Sequence, residues 1–209
     1  MQPQRVGRLT VQRVMEMEDG SPLPMFMPDI TAADLQRVSR WLSDPDITSD
    51  PATARITLSM HSFVIQLGGQ NILVDSCNGN HKPRSVPFAN MLHTPYLKNL
   101  AAVGLEPEDI HLVLCTHLHF DHVGWNTMKV ADRFVPTFPN ARYLIAREEF
   151  EHWSTETAQP KTDDANVDLR YSLEPIVTAG LQELVSSRHA LTDEVFLEHL
   201  REELSEATR

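Results

Sequence analysis

Residues 117–122 read His-Leu-His-Phe-Asp-His and follow directly on the run Leu112-Val113-Leu114-Cys115-Thr116. An apolar run that ends in a polar burst predicts a buried strand delivering a loop to the edge of a sheet. The loop carries three imidazoles and one carboxylate, the donors that zinc and other borderline divalent ions prefer. Crowded together, they repel or lose solvation unless a cation sits among them. In extended backbone His117 and His119 project to one side, Asp121 continues the alternation, and His122 turns away. The donors therefore divide two and two. That division suits two adjacent ions, each left open for other segments or water, better than one closed tetrahedral site. A surface loop that is histidine-rich by accident is the competing explanation.

With its flank, the segment Thr116-His117-Leu118-His119-Phe120-Asp121-His122-Val123-Gly124 resembles the His-x-His-x-Asp-His signature of the metallo-β-lactamase superfamily. Ile72-Leu73-Val74-Asp75-Ser76-Cys77 is similar to that family's early strand-plus-Asp motif. Gly124-Trp125-Asn126 and Phe138-Pro139-Asn140-Ala141-Arg142-Tyr143 resemble a hydrolase branch that includes methyl parathion hydrolase and the acyl-homoserine-lactone lactonases. The resemblance covers roughly residues 55–185 and is specific for the superfamily, not for a substrate.

The resemblance implies a layered α/β fold, an αββα sandwich incomplete at its C-terminal side, with a binuclear site at one edge. It assigns His117 and His119 to one zinc ion, and Asp121 and His122 to the other; iron and manganese suit the same donors. Its chemistry is hydrolysis of a small-molecule lactone, ester or phosphotriester by metal-bound hydroxide. Asp121 is the catalytic candidate, orienting that hydroxide or passing a proton to the leaving group. The family also places three later ligands, two His and a bridging Asp, in segments this sequence lacks. A truncated, inactive remnant or interaction module that keeps the metal loop is therefore the alternative expectation, and a redox protein using iron is a third. Metal content with turnover separates the first from the second; no flavin or other cofactor signature supports the third.

Composition narrows the partners. A formal net charge of −11 disfavours nucleic acid and anionic membranes. No apolar run reaches the length of a bilayer span, and Met1-Gln2-Pro3-Gln4-Arg5-Val6 has no signal-peptide core. Cytoplasmic location is the expectation, with Cys77 and Cys115 as buried thiols rather than a disulfide.

Along the chain, residues 1–54 hold six prolines, at 3, 22, 24, 28, 45 and 51, and predict an irregular arm covering the site mouth or a partner subunit. Within it, Ala32–Leu42 predicts a helix capped by Asp29 or Thr31. The main domain spans 55–191. It opens with a hairpin, Ile56–Leu67 and Ile72–Val74 around Gly68-Gly69, after which Asp75 is either a turn residue or a carboxylate orienting a metal-bound His. Helices are predicted over Tyr96–Val103, Ala146–Trp153 and Ser172–Val185, and strands over Arg133–Pro136 and Ala141–Ile145. Residues 192–209 predict an atypical amphipathic helix. Half a sandwich exposes apolar surface and strand edges, which predicts a homo-oligomer or aggregation. Phe120, Trp125 and Phe138 line either a pocket or the core. His61 reads as a core or ligand-supporting residue. His81, His93, His111, His152, His189 and His199 read as surface, loop or helix-face positions.

Overall fold

The computed structural model describes residues 2–38, 50–157 and 169–198. One mixed sheet organises the chain. Strands β1 (Gln4–Val6), β2 (Leu9–Pro22), β3 (Arg55–Leu67) and β4 (Gln70–Val74) run antiparallel to one another. Gly68 and Gly69, at φ +56° and +84°, make the tight β3–β4 turn that the sequence predicts. Beyond β4, strands β5 (Leu112–Cys115), β8 (Arg142–Ala146) and β9 (Gln182–Val185) add in parallel, giving the order β1-β2-β3-β4-β5-β8-β9. A separate ribbon of β6 (Thr127–Val130) and β7 (Arg133–Pro136) stands between β5 and β8 in the chain.

The parallel arrangement places the site. Because β4, β5 and β8 share one direction, their C-terminal ends reach the same edge of the sheet. There each strand gives way to a polar loop or helix, the usual position of a ligand site in such sheets.

The core lies mainly on one face of the sheet. Val14, Val64, Leu73, Val113, Tyr143 and Ile145 point into it from the strands. Opposite them stand Tyr96 and Leu100 of helix α2 (Tyr96–Ala102), the turn residues Trp125 and Phe138, and Ile176. Phe120, Trp125 and Phe138 are all buried, and Trp125 and Phe138 belong to this core. On the other face Leu114, Leu144 and Val185 pack against Leu191 and Leu197.

Several sequence expectations are corrected. Residues 1–54 are not an irregular arm throughout, because β1 and β2 are integral strands of the main sheet. The charged residues on β2 hid its alternation. Helix α1 spans Ala32–Val38 and Thr31 caps it: its Oγ1 accepts the Asp34 N–H, while Asp34 accepts the Thr31 N–H. Residues 39–42 of that predicted helix lie outside the described residues. The strands predicted at 133–136 and 141–145 are both present, β7 pairing with the unpredicted β6 and β8 joining the main sheet.

The helix expected over 172–185 is divided. α5 (Leu169–Ser172) and α6 (Glu174–Thr178) precede a turn at Gly180, and the chain then enters β9. Residues 192–198 form turns and a bridge between Ala190 and Phe196 rather than helix. The rest of that predicted helix, with His199, lies outside the described residues. Among the described residues no helix is long and apolar enough to cross a membrane.

Cys77 and Cys115 are free and buried, as expected. Burial pushes the Cys115 thiol up to about 12, and burial followed by the charge of Glu16 raises Cys77 as well. Neither thiol forms the reactive thiolate readily. Ellman's reagent at about pH 8 is expected to label neither in the folded chain and both after denaturation. Immediate release from the native protein would contradict the burial.

Candidate metal centre

The histidine loop begins where β5 ends. His117 is half-buried, Leu118 is fully buried and anchors the loop, and α3 (Phe120–Val123) supplies Asp121 and His122. The structure brings the predicted histidines together. Ring centroids lie 4.6 Å apart for His117 and His119, and 3.9 Å apart for His117 and His122. His122 Nε2 is 3.5 Å from Asp121 Oδ2.

Asp75 is more than a turn residue, because it bonds the histidine loop. It leaves β4 in the left-handed region, at φ +54°, and reaches across to the end of β5. Its carboxylate accepts the Thr116 N–H (2.8 Å) and the Thr116 hydroxyl, and stands 2.7 Å from His122 Nδ1. A carboxylate only accepts, so the hydrogen bond assigns a proton to Nδ1 and directs Nε2 toward Asp121.

Electrostatics follow from this crowding. Burial lowers the proton affinity of His117, and the neighbouring His122 and His119 lower it further. Burial also works against the charged His122, but its bonds to Asp121 and Asp75 outweigh it and push this imidazole up to about 10. Asp121 is pulled both ways. Burial raises its carboxyl, while the bond to His122 and its charge hold it below the usual value. The loop thus juxtaposes an easily deprotonated imidazole, an ionised carboxylate and an imidazole gripped by two carboxylates.

A second backbone segment locks the loop from behind. Ser76 N–H donates to His122 O, Gly124 N–H to Cys77 O and Trp125 N–H to Ser76 O, each at 2.7 Å. Arg84 lies over the Phe120 ring and donates to Asn78 O at 2.6 Å. Behind this seam sits Glu16, 2% exposed, at a β-bulge that leaves it without a partner on β3. Its carboxylate accepts from the Asn78 N–H and side-chain amide, the Gly79 N–H, the Thr94 hydroxyl and the Trp125 indole N–H.

Sequence reasoning missed Glu16 and Glu149 as supports of the site. An acid between Met15 and Met17 was the available signal for Glu16. For Glu149, which accepts the Leu118 N–H, it was a position in the first turn of a helix after a core strand.

No three His, Cys, Asp or Glu side chains among the described residues converge closely enough, as placed, to hold one ion. By chemistry the donor set still fits a divalent cation. Burial and the neighbouring His122 and His119 lower the proton affinity of His117, which leaves imidazole nitrogen beside the carboxylate of Asp121, donors that suit such an ion.

The chain thus combines a mixed α/β sheet with a His-x-His-x-Asp-His loop at the C-terminal edge of its parallel strands. The chain belongs to the metallo-β-lactamase superfamily, whose family model matches residues 57–197. Among curated proteins it is similar to the N-acyl homoserine lactonase AttM of Azorhizobium caulinodans, 35% identical over 51 residues, which are 24% of this chain and 16% of that one. The AttM of Agrobacterium fabrum is 34% identical over 53 residues, 25% of this chain and 17% of the relative.

Solved structures agree in fold. A probable metal-dependent hydrolase from Staphylococcus aureus matches with a TM-score of 0.66 and 17% identity, over 94% of this chain and 65% of that one. The dizinc quorum-quenching lactonase AidC matches with a TM-score of 0.62 and 20% identity, over 91% of this chain and 62% of that one. The chain thus spans just under two thirds of these structures' length.

Proposed function

We propose that this chain is a zinc-dependent hydrolase of small cyclic or linear esters, with N-acyl homoserine lactones as the first substrates to test. The observation that carries the reading is the placement of His117, His119, Asp121 and His122 as neighbours on one loop at the sheet edge, with Asp75 gripping His122. Membership of the superfamily and local similarity to two lactonases support it. His117 and His119 would hold one ion, and Asp121 and His122 the other. Zinc bound there supplies Lewis acidity at the carbonyl oxygen and lowers the pKa of water.

The chain's own residues do the rest. Asp75 Oδ2 keeps His122 turned so that Nε2 faces the site. Asp121, held ionised, is a proton acceptor beside the reacting centre. Leu118, Phe120 and Val123 are buried beneath the loop and fix its backbone. The buried thiols accord with a cytoplasmic location, which belongs to the same proposal.

A second reading is a metal-binding but inactive chain. It is favoured by the lack, among the described residues, of a group of three or more donors placed to hold one ion. One experiment separates the readings: zinc per chain after desalting, with hydrolysis of N-acyl homoserine lactones and aryl esters, and His119→Ala as control. About two zinc ions per chain and turnover lost in the variant support the hydrolase. Zinc without turnover supports the second reading, and a folded chain that takes up no zinc rejects both.

A further inference from the structure

We propose that Glu149 is a positioning residue for the histidine loop, an inference that rests on His117 and His119 being ligands. Helix α4 (Arg147–Thr157) starts immediately after β8, and β8 lies alongside β5 with Ile145 opposite Cys115. The first turn of α4 therefore faces the start of the histidine loop. There Glu149 Oε1 accepts two hydrogen bonds, from the Leu118 N–H at 3.0 Å and from the Trp153 indole N–H at 2.8 Å.

Leu118 is the residue between the two histidines, and it is 0% exposed. This N–H belongs to a buried residue, where a lost partner is poorly replaced by water. The peptide that spaces His117 from His119 is thus tied to a helix rather than left to loop geometry. Trp153 extends the same tie, because its ring packs edge-on against the His119 ring with centroids 5.6 Å apart. One oxygen thereby sets both the backbone between the two imidazoles and the aromatic neighbour of one of them. A pair of ligands tolerates little error in relative placement, so this anchor acts on metal affinity through the loop.

The role depends on an acceptor oxygen, not on charge. Glu149→Gln retains an oxygen that can accept both bonds, whereas Glu149→Ala retains none. The test titrates metal-free wild type, E149Q and E149A with Co(II) against a chromophoric chelator, with thermal unfolding as a check on folding. Amide hydrogen exchange at Leu118 is followed in the metal-free chains.

E149A is expected to bind Co(II) about 10–100-fold more weakly and to lose protection at Leu118. E149Q should stay within about threefold of wild type and keep that protection. A folded E149A with wild-type affinity and a protected Leu118 amide overturns the proposal, as does an E149Q that falls as far as E149A. If wild type binds no Co(II), the metal reading fails, and so does this role for Glu149. Leu118 exchange then shows separately whether the anchor itself exists. Should E149A not fold, Glu149→Asp, which draws the carboxylate back by one methylene, takes its place.

Discussion

Replacing Glu16 by alanine is expected to cost about 4 kcal/mol or more of folding stability, enough to lower the midpoint of thermal unfolding by roughly 10 °C for a chain of this size. The Glu16 carboxylate is the shared acceptor for five donors: two backbone N–H groups, the Asn78 amide, the Thr94 hydroxyl and the Trp125 indole. At 2% exposure water cannot substitute for it. Alanine would strand these donors and open a void beside Trp125 at the same time. Glu16→Gln should cost less, since it preserves shape and one acceptor oxygen, although its amide N–H₂ then faces other donors. Urea unfolding of the three proteins measures the difference. A loss below about 1 kcal/mol for the alanine variant would mean that the carboxylate is not the hub of this network.

Gly124→Ala is expected to be as damaging for a purely steric reason. Gly124 has an ordinary helical backbone (φ −62°), so it is not needed for conformational freedom. A Cβ at this position would stand 1.7 Å from Asn78 O and 1.9 Å from Asn78 C. Both are backbone atoms of the segment that hydrogen-bonds to the histidine loop, so neither gives way without pulling that seam apart. The expected cost is about 3 kcal/mol or more, at the upper end for overpacking. Gly68→Ala is the control. It carries a positive φ of +56° but has open space around it, so about 1 kcal/mol of backbone strain is expected there. Denaturant midpoints for the two variants should differ clearly. Equal midpoints would show that the two segments separate at little cost.

The clustering of the histidine loop was legible in the sequence because its residues are nearly consecutive. Six residues after a buried strand name His117, His119, Asp121 and His122 without long-range information, and the structure brings the three imidazoles side by side. The β3–β4 hairpin and helix α2 were legible for a similar reason, since each is written in local alternation or periodicity with a glycine closing it. β2 was not. Its charged and polar residues masked a strand whose stability comes from pairing with β3, and a β-bulge interrupts what alternation there is. β9 failed differently: Gln182–Val185 continues an apolar pattern that serves a helix as well as a strand, and only the open edge of β8 decided for strand.

By itself, then, the sequence determined the donor set, the strand that delivers it and the family to which the loop belongs. Tertiary structure alone decided what holds those donors in place.

 Asp75 lies 47 residues from His122, Glu16 lies 109 residues from Trp125, and Glu149 lies 31 residues from Leu118. Contacts at such separations leave no local pattern, because an isolated acid on a strand or in a helix turn looks the same whether it faces water or a buried donor. The sheet order sets β4 and β8 on either side of β5, so that Asp75 and Glu149 reach the histidine loop directly, while Glu16 on β2 reaches the turn after it through Trp125 and is fixed as an acceptor by its burial.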